Sequence, residues 1–497
     1  MQPGISAIAA YLPPYRVSLE QWCEWYDQPW PKIRSVVGRS FRVRGPRENV
    51  YTMAAEAALR LIEQNQIDPA RIRYLALGTE SSTDNSAGTV VVKGLLNQIL
   101  PELGLNTISR HCEVPEFKHA CLGGVYGLKG AARFLACEPD DSLALVISGD
   151  VAEYARGSSG EPTQGAGAVA MLLEKQPQLL ELLLPWSGSA SDYRLVDFRK
   201  PMSQVDARAA RAHGQIRDFP VFNGHYSTSC YLDATLKAAE DLWRRRGLSP
   251  ATWMANLKAV FMHRPYHRMP ETGLALTWLA ALAADPDPQP FDQLCADHEL
   301  DASGMRAELA AAPNLLELVA AGTINADPYP LTLGAIRAVR GTSAWQQAVS
   351  DRLAAGSDTM RDIGNLYTAA LPAWIGAGLE AARSAGDMLA AGDELLLAGY
   401  GSGDAAEAIP ARMVPDWETA AGRIGVQAAL AQAVDLSQTQ YEMLHDRGDC
   451  LDLPVTATSR FLLDRIGEAH GEGGFEDAGI EYYRVSRAPD PVFAVSA

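Results

Sequence analysis

The sequence predicts an α/β fold of two similar halves, residues 1–175 and 176–497, with mixed sheets covered by helices. Three observations carry this reading. Short apolar runs of strand length alternate with longer helical stretches, which is the pattern of strand–helix units. The order of events also recurs. A strand ends at Glu80, a helix opens at Cys121 and a strand ends at Gly149-Asp150; later a strand ends at His263, a helix opens at Asn365 and a strand ends at Gly401-Ser402. The spacings differ between the halves, so their loop insertions differ. Finally, 497 residues are more than one core fills, and two or three domain-sized units are expected.

Taken in order, residues 5–12 read as an apolar strand stopped by Pro13-Pro14. A cationic stretch follows, with Lys32, Arg34, Arg39, Arg42, Arg44 and Arg47. It reads either as solvated surface or, for one or two of these residues, as a lip that touches phosphate. Residues 50–65 form an amphipathic helix, 74–79 a buried strand ending on Glu80, 89–100 a helix, and 101–118 irregular chain. A helix over 125–136 follows Cys121, then a strand over 143–148 and a turn feeding a strand over 165–174.

Residues 176–225 read as loop-rich and 227–246 as helix, with a short strand at 258–262 that ends on His263. An Ala- and Leu-rich helical region spans 272–320, broken near Asp285 to Pro290. Gly364-Asn365 opens a helix that runs to Ala382, and a strand over 394–398 closes on a glycine-rich turn. The chain after 405 is acidic and mixed in pattern, and its last few residues are expected to fray.

Composition excludes several classes. The net charge of −17 argues against general nucleic-acid binding, and an anionic ligand needs a local basic patch to overcome the protein's field. The 7 cysteines show no metal-ligand spacing, and no apolar run approaches a membrane span. Reduced thiols in the cytoplasm and no membrane partner are expected.

The stretch His119-Ala120-Cys121-Leu122-Gly123-Gly124 is the candidate centre. A thiol at a helix start meets free N–H groups and a positive dipole end, which favour the thiolate. Gly123 and Gly124 would leave room beside the sulfur for a substrate. An inert buried cysteine is the other reading, and the hexapeptide does not choose between them. Glu80 ends an apolar strand, so burial would raise its pKa toward the range of a general base.

The chain resembles the hydroxymethylglutaryl-CoA synthase family of the thiolase-like superfamily. The resemblance rests on Gly78-Thr79-Glu80, Ala120 to Gly124, Ser148 to Ala152, Pro162-Thr163 with Gly165 to Ala168, and Asp197-Phe198 with Lys200-Pro201. It continues through Pro220-Val221 with Gly224, Ser227, Cys230 to Leu232, His263 with Pro265-Tyr266, Gly364 to Thr368 and Tyr400 to Gly403, and thins after about 405. The ketoacyl synthase III enzymes share a Cys, a His and an Asn at comparable places but lack the glutamate matched by Glu80.

The resemblance implies a thiolase-like fold of two αβαβα halves and a mechanism. Cys121 accepts an acetyl group, Glu80 removes a methyl proton, and His263 polarises or holds the ketone of an acetoacetyl thioester. Backbone N–H groups at Cys121 and Ser402 steady the enolate. Asn365, Tyr367, Thr163, Asp150, Asp197 and Ser227 would line the substrate, with Asp150 alternatively tying loops together and Asn365 alternatively capping a helix. Arg268, Lys32 and Arg264 would meet the pantetheine and phosphates. No metal or redox cofactor is implied; acetyl-CoA and acetoacetyl-CoA are the substrates, and a homodimer is expected.

Several positions depart from the family pattern: Glu161 and Gln164 around Pro162-Thr163, Arg264 after the histidine, Thr272, and Asn49 in Arg47-Glu48-Asn49. They fall around the acceptor and the carrier. A relative that adds β-branches to β-ketoacyl groups on acyl carrier proteins is therefore a second reading. A ketoacyl synthase III-like enzyme and a silent thiolase-like partner subunit are further ones.

Overall fold

The computed structural model describes residues 2–139, 141–201, 219–311, 313–453 and 457–491. Its centre is a sheet with the strand order Ala259–Met262, Glu394–Gly401, Ala405–Met413, Leu180–Leu182, Gly4–Tyr11, Gly165–Glu174, Leu143–Ala152, Ile72–Gly78 and Glu116–Phe117. Gly188–Ser191 pairs beside Ala405–Met413.

The repeat expected from the sequence is visible in the pairing. In the first half Ile72–Gly78 runs parallel to Leu143–Ala152, which pairs antiparallel with Gly165–Glu174, which pairs antiparallel with Gly4–Tyr11. In the second, Ala259–Met262 runs parallel to Glu394–Gly401, which pairs antiparallel with Ala405–Met413, which pairs antiparallel with Leu180–Leu182. The short strand Leu180–Leu182 also pairs with Gly4–Tyr11, so the sheets of the two halves meet there.

Both faces of the first-half strands are covered, and their side chains alternate accordingly. Ala144 and Val146 enter the core shared with the second half, whereas Leu143, Leu145 and Ile147 face the helix Val50–Gln64. The helices Gly123–Leu135 and Ala370–Ala385 lie between strands of the two halves. The helices Val50–Gln64 on one outside, and Gly224–Arg246 with Met269–Ala284 on the other, complete five layers.

The loop-rich reading of 176–225 is corrected in part, because Leu180–Leu182 and Gly188–Ser191 are strands. Residues 202–218 of that stretch, and the final residues 492–497, lie outside the described residues. The chain after 405 begins with the strand Ala405–Met413 and includes the helix Gln438–Arg447. It ends in the hairpin Ala457–Ile466 and Glu481–Pro491, which packs on the helix Val50–Gln64. No helix among the described residues is long and apolar enough to cross a membrane.

Candidate active site

Equivalent strand ends and helix starts from the two halves converge. Gly78, at the end of its strand, abuts the backbone of Gly123 and Gly124, and a Cβ on Gly124 would collide with the hydroxyls of Ser148 and Thr368. These two helix glycines therefore serve close packing against protein. The expectation that they open room for a substrate is corrected. Ala120, just before the nucleophile candidate, has φ +42°, and Tyr367 has φ +44°. Such conformations are costly for non-glycine residues and persist only where the surroundings over-determine them.

Cys121 is half-buried. Burial, Glu80, Asp150 and Asp197 push its thiol well above the ordinary value, and Lys200 is the cation opposing them. The preference for thiolate expected at a helix start is thus outweighed. At the helix terminus the Gly124 N–H donates to Thr368 Oγ1 at 2.6 Å. Cys121 packs beside Tyr154, Tyr367, Phe198 and Phe222. Lys200 Nζ lies 5.4 Å from the centre of the Tyr367 ring. Tyr154, Phe198, Phe222 and Lys200 were not among the sequence candidates for the site. The Asp197-Phe198 and Lys200-Pro201 motif held the signal for two of them.

Asp150 is fully buried and committed to protein. Its Oδ1 accepts from Thr79 Oγ1 at 2.9 Å, the Glu80 N–H at 2.8 Å and Ser81 Oγ at 2.8 Å, and its Oδ2 accepts from the Thr368 N–H at 3.0 Å. It stitches the Glu80 turn to the helix start of the other half, so the substrate-binding role is corrected to a positioning one. Desolvation, only partly offset by these bonds, still holds its carboxyl up at about 6.

Asn365 is also buried. Its Oδ1 accepts the Tyr367 N–H at 2.9 Å in a tight turn, but the N-cap positions of the helical turn Tyr367–Ala369 and of the helix Ala370–Ala385 are Leu366 and Ala369, so Asn365 is not the helix cap of the alternative reading. Its own N–H donates to the Thr163 carbonyl at 3.1 Å. Thr163 Oγ1 donates to the Gly160 carbonyl at 2.7 Å.

His263 is buried, and desolvation lowers its imidazole to about 3, so the ring is neutral. Its Nδ1 has no hydrogen-bond partner among the described residues. The ring lies 6.5 Å, centre to centre, from Tyr400. Tyr400 donates its hydroxyl to Asp197 Oδ2 at 2.8 Å, and Asp197 bears electrostatically on Cys121. Glu80 thus bears electrostatically on Cys121, and His263 neighbours Tyr400, which bonds to Asp197. Ser402 follows Gly401, which abuts the His119 carbonyl and Leu122, so that turn borders the Cys121 loop. Ser227 lies in the first turn of the helix Gly224–Arg246, with a buried hydroxyl that has no partner among the described residues.

The cations separate. Arg264 is buried and engaged with Ser357 and with His267 Nδ1, and it lies 5.0 Å from the Trp374 ring centre. Its assignment to the carrier is corrected: the guanidinium is consumed internally, and burial lowers it to about 9. Arg39 pairs with Asp358 and Asp362, and Arg42 is buried on backbone carbonyls, so neither is a solvated surface group. Lys32 is exposed on the helix Trp30–Val36, and the Arg268 N–H donates to the Val36 carbonyl, which places both at one rim.

Two of the unusual positions share one partner. Glu161 accepts from Trp22 Nε1 at 3.1 Å, from the Tyr441 hydroxyl at 2.8 Å and from the Gly157 N–H at 2.6 Å. Gln164 donates to Tyr441 at 2.9 Å and accepts the Tyr154 N–H at 2.9 Å. His445 Nε2 meets the Tyr154 carbonyl at 2.8 Å. The loop carrying Tyr154 and Thr163 is therefore buttressed by the late helix Gln438–Arg447.

A fold of paired strand–helix halves, with a cysteine at one central helix start and a histidine at the matching strand end, defines a thiolase-like protein. Within that class the chain is similar to the hydroxymethylglutaryl-CoA synthases. The family model "Hydroxymethylglutaryl-coenzyme A synthase N terminal" matches residues 2–177. The hydroxymethylglutaryl-CoA synthase of Haloferax volcanii is 28% identical over 402 residues, covering 80% of each chain. The solved structure of MvaS in complex with 3-hydroxy-3-methylglutaryl coenzyme A is 25% identical, covers 97% of this chain and 99% of that one, and has a TM-score of 0.74. The HMG synthase of the curacin biosynthetic pathway, solved with holo donor-ACP, shares the fold at 21% identity and a TM-score of 0.65, covering 90% of this chain and 88% of that one.

Proposed function

We propose that the chain condenses an acetyl group with an acetoacetyl thioester to give a 3-hydroxy-3-methylglutaryl thioester. The supporting observation is the burial of Glu80 with Cys121 in one aromatic-walled pocket, with His263 behind Tyr400. The neutral Cys121 thiol gives up its proton as sulfur attacks the acetyl carbonyl, and that proton leaves with the departing carrier thiol. Glu80, as a carboxylate, takes a proton from the acetyl methyl. The enolate carbon bonds to the ketone carbon of the acceptor while an N–H of neutral His263 holds the ketone oxygen, and Glu80 returns its proton to the alkoxide. Backbone N–H groups at Cys121 and Ser402 steady the enolate oxygen. Water then cleaves the Cys121 thioester, restoring the thiol and releasing a carboxylate. None of these steps calls for a metal or a redox cofactor.

Incubation with acetyl-CoA should add one acetyl group by intact mass, and Cys121→Ala should abolish it. An adduct that survives Cys121→Ala would remove the nucleophile assignment. Glu80→Ala should retain acetylation and lose condensation by a factor of at least about 100; normal condensation would refute the base.

A carrier-protein acceptor is the second reading, favoured by the internal use of Arg264, which leaves fewer cations for a free CoA. Turnover of acetoacetyl-CoA equal to or above that of acetoacetyl carrier protein would exclude it.

A further inference from the structure

Beneath the pocket lies a second group of ionisable side chains that the steps above do not use. A carboxyl oxygen of Asp197, one of Asp404 and the Cys230 sulfur all lie within 4.8 Å of one another. Asp197 and Asp404 are 1% and 3% exposed, so neither is hydrated to any extent. The Tyr400 hydroxyl is 2.8 Å from Asp197 Oδ2 and 3.2 Å from Asp404 Oδ1. A tyrosine has one hydrogen to give, and two carboxyls compete for it. Asp197 Oδ1 and Asp404 Oδ2 meet no N–H or O–H donor among the described residues.

Charge points the same way. The cation facing the group is Arg194, which binds Asp233 and, at 2.9 Å, Asp192; its Nε stands 3.8 Å from Asp404 Oδ2 without a hydrogen bond. The other titratable or charged groups near the pair are Tyr226 and Cys230 from the long helix, Tyr400 from its strand end, Cys121, on which Asp197 bears, and Arg199, which reaches the Gly403 carbonyl at 3.3 Å. Buried carboxyls in mutual contact cannot both ionise cheaply.

Resting on the condensing-enzyme reading for its role in turnover, we propose that Asp404 is a positioning residue: with Asp197 it forms a carboxyl pair holding one proton, which orients Tyr400 and so fixes the wall on which His263 stands. The proton satisfies the two orphaned oxygens and lets Tyr400 give its hydrogen to Asp197. Burial and the neighbouring Asp197 carry the Asp404 carboxyl from 3.8 to about 8. A folded-state value above the unfolded one means stability that is full below about pH 4 and is lost as pH rises toward 8.

The test uses the full chain. Infrared difference spectra of wild type labelled with carbon-13 aspartate should show a protonated aspartic acid that persists above about pH 7 and vanishes as pH passes about 8. Asp404→Asn, neutral at every pH, should melt progressively higher than wild type between about pH 5 and pH 9. The wild-type condensation rate should fall toward tenfold per pH unit above about pH 8, and that limb should be absent in Asp404→Asn. An infrared band absent above about pH 7, parallel melting curves for the two proteins, or a stoichiometric divalent metal in the purified chain would each overturn the pair. The infrared and melting measurements need no turnover. A failure of Cys121 acetylation would therefore sink the enzyme reading and leave the carboxyl pair to be judged separately.

Discussion

Burial first, and then the nearby Glu80, Asp150 and Asp197, make a thiolate at Cys121 costly. The thiol form then prevails at neutral pH, and sulfur becomes nucleophilic only as its proton leaves. Alkylation of Cys121 by iodoacetamide at about pH 7 should be at least about tenfold slower than that of free cysteine, and should climb with pH beyond the ordinary thiol range. Rapid labelling at neutral pH, followed by peptide mass mapping, would contradict this. His263 behaves oppositely in charge and alike in outcome: burial keeps it neutral down to about pH 3. The condensation profile should carry no limb near the usual histidine value of about 6.5 that disappears in His263→Gln.

At the scale of elements, the loop carrying Tyr154 and Thr163 is held by a helix that lies far along the chain. Tyr441 donates to Glu161 and accepts from Gln164, so Tyr441→Phe removes two buried hydrogen bonds at once. The expected cost is about 1–3 kcal/mol in stability. The loop borders Tyr367 and Asn365, so KM for the acceptor should rise more than kcat falls. A melting midpoint and a KM unchanged from wild type would show that the helix is packing alone. Glu161 and Gln164 looked in the sequence like departures around the acceptor. Their reason is a partner nearly three hundred residues away, which no local pattern contains.

Across the whole molecule, the two halves are joined both at the sheet and by the last hairpin. Phe461, on that hairpin, is fully buried against the helix Val50–Gln64. Phe461→Ala should therefore lower stability by about 3–5 kcal/mol, read as a shift in the denaturation midpoint. A shift under about 1 kcal/mol would mean that the hairpin is peripheral. The hairpin was illegible beforehand because its buried apolar run, Phe461 to Leu463, is only three residues long and charged residues such as Arg460, Asp464 and Arg465 flank it. Leu180–Leu182 escaped for another reason: three residues are too few to show alternation. By contrast Gly165–Glu174 and Leu143–Ala152 are long, apolar and sealed on both faces, so composition alone marked them.

The sequence by itself determined the α/β class, the order of strands and helices in each half, and a cysteine at a helix start and a glutamate at a strand end as candidate reactive groups. Those properties follow from periodicity and local chemistry, which neighbours in the chain control. Only the tertiary structure decided that Asp150 ties the halves together, that Arg264 is spent internally, that the thiol stays neutral, and that Asp404 meets Asp197. Each depends on burial and on a partner brought from a distant segment, and neither desolvation nor a long-range contact is written in the residues that flank it.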